Sequence, residues 1–129
     1  MRLLHLPIGV SLLAVCLSVP LAAQSESLDN APAESAGLKN PYQGDSNHVR
    51  AGAKLFRQSC ASCHGEAATG KGKNPSLRTE RISQAPPGAL FWFIRAGAAK
   101  KGMPSFNRLP QQRIWQIVTF LQASPAPAH

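Results

Sequence analysis

The sequence predicts an all-α domain with three main helices and shorter ones between them. Three observations carry this. Val49, Ala53, Phe56 and Cys60 recur at intervals of four, three and four, the spacing of one helix face. A continuous apolar run, Leu90 to Ile94, lies between Pro87 and Gly97, residues suited to opening and closing a helix. Ile114, Ile117, Val118 and Leu121 repeat at three, four and three, a stripe that one helix buries.

Taken in order, residues 1–23 read as an export signal. Arg2 supplies the positive start, Leu3 to Val19 is mostly apolar, and Leu21-Ala22-Ala23 precedes a polar stretch from Gln24. An uncleaved anchor is the alternative, and only then is a membrane involved; Pro7, Pro20 and the short apolar run argue against a stable span. A lipoprotein signal at Cys16 is set aside, because Val15 is bulky and Leu17 to Ala23 stays apolar. Residues 24–46, rich in Ala, Ser, Pro, Asn and Gly, are expected to be a flexible lead, with Asn40-Pro41-Tyr42 able to tuck against the domain. The domain proper is expected over 47–123, and 124–129, with Pro125 and Pro127, reads as a disordered tail.

The first helix is predicted to start near Asp45 to Asn47, each able to cap it, and to run to about Cys60. Gly52 sits inside it, at a cost of up to about 1 kcal/mol relative to Ala. Either another helix approaches closely there or the glycine is a tolerated surface position. Residues 65–77 hold Gly65, Gly70, Gly72, Asn74 and Pro75 and read as a loop, and 78–85 as an exposed connection or short helix. The second helix spans Pro87 to Ala96, although the apolar run alone would also suit a buried strand. The last covers Pro110 to Ala123, and is expected to cross the first at Gly52, with Phe56 filling the contact.

The chemistry lies in Cys60-Ala61-Ser62-Cys63-His64. The pattern C-x-x-C-H is a c-type haem attachment site, in which both thiols bond the haem and the histidine ligates its iron. A structural zinc site needs four ligands, and no second cysteine pair exists. A thioredoxin-like pair needs a βαβ setting, whereas these flanks look helical. Once the signal is removed, Cys60 and Cys63 are the only cysteines and Met103 the only methionine. Met103 stands between Gly102 and Pro104 in a polar loop and is the candidate second axial ligand, ahead of His48, in the first helix, and His129, at the terminus. A single haem also supplies the apolar plate that so short a chain needs for its core.

Leu55-Phe56, Cys60 to His64-Gly65, Asn74-Pro75-Ser76-Leu77 and Gly102-Met103-Pro104 resemble the class I c-type cytochromes, single-haem electron carriers, over about Val49 to Gln122. The likeness is greatest to small cytochrome domains that accompany periplasmic dehydrogenases and haem-copper oxidases. It implies the class I cytochrome c fold wrapped around one covalent haem, and a Pro75 carbonyl that accepts a hydrogen bond from His64. That family often has Gly where Asn74 stands. Trp92 is expected either to donate its indole N–H to a haem propionate or to be an ordinary core aromatic.

His64 and Met103 together would fill both axial positions, which suits passing one electron and leaves no open site for substrate. The function expected is therefore a periplasmic electron carrier, not an enzyme in its own right. The alternatives are the electron-accepting subunit of a quinoprotein-type dehydrogenase and a haem sensor with a labile Met103. The chain carries a formal charge of +8 without basic residues clustered among aromatics, which excludes a nucleic-acid reading and favours redox proteins with acidic docking surfaces. Lys71, Lys73, Lys100 and Lys101 are read as a basic rim at the haem edge, against the alternative of ordinary solvated lysines. A monomer is expected.

Overall fold

The structure, a computed structural model, describes residues 27–124. The export signal at 1–23 lies outside the described residues, as does the tail beyond Ser124. Within them are six α-helices and two single 3-10 turns, with only two isolated β-bridges and no strand. No described helix is long and apolar enough to cross a membrane.

The three predicted main helices are α2 (Ser46–Ser59), α5 (Pro87–Ala96) and α6 (Gln111–Ala123), with α1 (Ala33–Ala36), α3 (Ala61–His64) and α4 (Glu80–Ser83) as short turns between and before them. Asp45 caps α2: its Oδ1 accepts from Asn47 N at 2.8 Å and His48 N at 3.1 Å. Those two bonds, His48 first, hold its carboxyl below the usual value of 3.8. Thr79 caps α4 through its side chain. Helix α5 opens with Pro87 in its first turn and ends at Gly97, whose φ of 74° a side chain would resist.

The most extensive helix pair is α2 with α6. It closes at Gly52, where an added Cβ would stand 1.9 Å from the Gln116 carbonyl oxygen and 2.9 Å from the Phe120 Cβ. Of the two readings of Gly52, close approach is the one that holds. Phe56 fills the contact, fully buried and 5.3 Å from the Phe120 ring. Ile114, Ile117 and Val118 are the other large side chains that are fully buried, and Phe91 stacks on Trp115 at 4.3 Å, joining α5 to α6.

Of the lead, expected to be flexible with Asn40-Pro41-Tyr42 able to tuck in, residues 27–45 pack on the body, starting with a 3-10 turn (Leu28–Asn30) and α1. Gly88, in the first turn of α5, admits the Ser35 carbonyl to 1.9 Å from where a Cβ would be. Asn40 is buried, its Nδ2 donating to Thr119 Oγ1 at 2.8 Å while its Oδ1 accepts from Tyr42 N at 3.0 Å. Tyr42 stacks on His48, whose Nδ1 pairs with Gln116 Nε2 at 3.0 Å. A segment poor in large apolar groups can dock in this way because backbone carbonyls and one amide do the binding.

Candidate haem-binding site

The C-terminus of α2 runs almost directly into α3, so Cys60, Cys63 and His64 lie on two adjoining turns. Gly65, with φ 79°, ends α3 and turns the chain into the 65–77 loop. That loop folds back on itself. Gly70 N donates to His64 O at 2.9 Å and Leu77 N to Ala68 O at 2.8 Å. At Gly70 (φ 90°) a Cβ would meet Asn74 O at 2.8 Å and the Pro75 carbonyl carbon at 3.1 Å, so only glycine lets the two arms close. The result is one bond: His64 Nδ1 lies 3.0 Å from Pro75 O. A carbonyl can only accept, so Nδ1 carries a proton, and it is Nε2 of the neutral ring that has a lone pair to offer a metal.

Asn74, where the resembling family often has glycine, does not disturb this. It forms a reciprocal pair with Lys71 at 3.1 and 3.0 Å, and Ala68 is the one non-glycine among the described residues with positive φ.

The second loop is clamped to the end of α5. Ala98 and Met103 exchange backbone bonds of 3.0 and 3.1 Å, Phe106 N donates to Ile94 O at 3.3 Å, and Ser105 Oγ donates to Arg95 O at 2.8 Å. Gly97 makes room, since a Cβ there would lie 2.7 Å from Pro104. Met103 is thereby held on a tight turn.

Both loops border one cavity of about 580 Å³. Cys60, Cys63, His64, Pro75 and Met103 all line it, together with apolar side chains that include Phe56, Leu90, Phe93, Ile94, Phe106 and Ile117. Its exposed lining includes Ser62 and Cys63 on α3, Pro75 on the first loop, Arg81 on α4, and Lys101, Gly102 and Pro104 on the second loop. Burial pushes the Cys60 thiol up to about 11, with Cys63 adding to the shift, so Cys60 stays neutral in an apolar wall. Cys63 is exposed. Neither takes part in a disulfide. Among the described residues no group of three or more His, Cys, Asp and Glu is placed to hold a metal ion by itself.

A planar, largely apolar group with an iron centre fits this donor set. The walls are hydrocarbon, two thiols and an imidazole share the cavity, and a thioether lies in the second loop.

Five of the six residues singled out in the sequence thus meet at one cavity, and Trp92 does not. It is half-buried but outside the lining, whereas its neighbours Leu90, Phe93 and Ile94 form the α5 wall. The helix turn separates 92 from 90, 93 and 94, and the continuous apolar run concealed which face would be used. His48, the rival ligand, is also outside it, engaged with Tyr42 and Gln116. Sequence reasoning missed Leu28, Ile82, Phe93 and Phe106 as wall residues. Only their apolar character could have pointed to them.

A family model of cytochrome c oxidase, cbb3-type, subunit III matches residues 47–121, more than half of the chain. The chain belongs to that family. It is a c-type cytochrome, a family that binds haem c. Among solved structures, the cytochrome resembles cytochrome cL from the marine methylotroph Methylophaga aminisulfidivorans, with 30% identity and a TM-score of 0.59 over 67% of this chain and 59% of that one. Cytochrome cL from Hyphomicrobium denitrificans, 21% identical with a TM-score of 0.55 over 73% of this chain and 64% of that one, shares the fold. Two curated relatives come from Pseudomonas putida. Quinohemoprotein alcohol dehydrogenase ADH-IIG is 33% identical over 92% of this chain, and ADH IIB 32% over 72%. The cytochrome spans only 16% and 14% of their lengths.

Proposed function

We propose that the cytochrome carries one haem, held covalently through Cys60 and Cys63, with His64 Nε2 and the Met103 sulfur as axial ligands, and that it passes single electrons between redox proteins in the periplasm. When bound, the haem supplies the one-electron Fe(III)/Fe(II) couple. The observation that carries the reading is the 3.0 Å contact between His64 Nδ1 and Pro75 O in the wall that Met103 shares. Pro75 fixes the ring and its tautomer and makes Nε2 a better donor. The Ala98 bridge holds the Met103 loop, so both axial positions would be taken by this chain. The apolar walls exclude water and favour the less charged ferrous state.

Exposed Lys71 and Lys73 on one loop and Lys100 and Lys101 on the other flank the cavity-lining residues, and Lys101 itself lines the cavity. They would steer a monomeric carrier onto an acidic partner surface. The test is twofold. Mass analysis of the denatured polypeptide is expected to show one haem still attached, and a redox titration is expected to follow a single one-electron curve. Haem lost on denaturation, or a reduced form that binds carbon monoxide rapidly, would overturn the assignment.

The likeness to two quinohemoprotein dehydrogenases favours a second reading, in which this cytochrome accepts electrons within a quinoprotein-type dehydrogenase complex. Co-purification with such an enzyme from the native source distinguishes that from a diffusing shuttle.

A further inference from the structure

The family match begins at residue 47, yet Ser27 and Leu28, well before it, belong to the cavity wall. The segment that carries them is seated at three places. Gly88 accepts the Ser35 carbonyl, and Leu38 O would lie 2.9 Å from an added Cβ there. Asn40 is bonded to Thr119 on α6. Asp29 Oδ2 accepts from Arg81 at 2.5 Å, and Arg81 also lines the cavity. The seat is uneven, with a gap of about 240 Å³ bounded by Leu28, Ala31, Ala36, Ala85 and Ala89.

We propose that residues 27–42 are a strap forming part of the haem site, in which Leu28 covers one edge of the haem and the Asp29–Arg81 pair latches the strap to the rim. The inference rests on the haem reading above. Its consequence is electrostatic. Ferric haem carries one more positive charge than ferrous haem, and water stabilises that charge. An apolar side chain over the edge keeps water away and raises the reduction potential.

The test uses the full-length, haem-loaded protein and two substitutions. Gly88→Ala lies outside the cavity lining and suits a helix, but its Cβ collides with the Ser35 carbonyl and must lift the strap. Leu28→Ser leaves the three seats intact and removes the cover. Both variants are expected to keep the wild-type visible spectrum. Both should shift the Fe(III)/Fe(II) equilibrium toward the oxidised form by about tenfold, about 59 mV for one electron. Gly88→Ala should also speed amide hydrogen exchange in residues 33–42.

An unmoved potential in Leu28→Ser overturns the proposal, as does an unmoved potential in Gly88→Ala with exchange accelerated. A wild-type protein without a haem spectrum would instead sink the haem reading itself. The two failures are therefore separable.

Discussion

Gly52 on α2 and Gln116 on α6 bring two helix backbones into contact, with 1.9 Å between the carbonyl oxygen of one and the place of a Cβ on the other. Gly52→Ala gains about 1 kcal/mol in helix propensity. It also forces apart the pair that buries Phe56 and Ile117, and overpacking of this kind costs about 1–3 kcal/mol or more. The expected outcome is a net loss of up to about 2 kcal/mol, read as a lower denaturant midpoint with little change in slope. A midpoint that rises would show that the helices slide to accommodate the methyl.

The Asp45 cap gives a pH dependence with a definite sign. Its pKa is depressed in the folded protein by the His48 and Asn47 amides, so its contribution is present above the unfolded value of 3.8 and lost as pH falls through the folded one. Asp45→Asn keeps a capping side chain but removes the titration. Denaturant midpoints of the two proteins measured from neutral pH down through 3.8 should converge at the acid end. Parallel curves would mean that the cap does not titrate with folding.

Gly70 makes the His64–Pro75 bond possible, so Gly70→Ala tests the positioning of the ring. At φ 90° a side chain is strained and the Pro75 arm must move. In the reduced protein the His64 Nδ1 proton should exchange with solvent faster than in wild type, by NMR, with a loss of about 1–3 kcal/mol in stability. An unchanged exchange rate would separate the loop closure from the imidazole.

Neutralising Lys71, Lys73, Lys100 and Lys101 to Gln should flatten the salt dependence of electron transfer to an acidic partner, because screening acts on the charges that were removed. A salt dependence equal to that of wild type would leave these lysines as ordinary solvated charges.

How far the sequence carried varies by element. Helices α2, α5 and α6 were legible because burial on one face imposes a period and because Asp45, Pro87 and Gly97 act locally. Gly52 was legible as a crossing point because a glycine inside a helix needs compensation. That Cys60, Cys63, His64, Pro75 and Met103 belong together was legible from spacing and resemblance, and they line one cavity. The strap was not. Its docking depends on Gly88 accepting the Ser35 carbonyl and on one buried amide, Asn40, and neither leaves a periodic trace. The two readings of Trp92 stayed open for a related reason, since five consecutive apolar residues on α5 contain no signal for which of them faces the cavity.

The central claim is a haem gripped by Met103 sulfur opposite His64, and the near-infrared charge-transfer band of the oxidised protein tests it most directly. The account predicts that wild type shows the sulfur-to-iron band and that Met103→Ala loses it while keeping covalent haem. A band that survives in Met103→Ala, or a wild-type protein that is colourless, would contradict it.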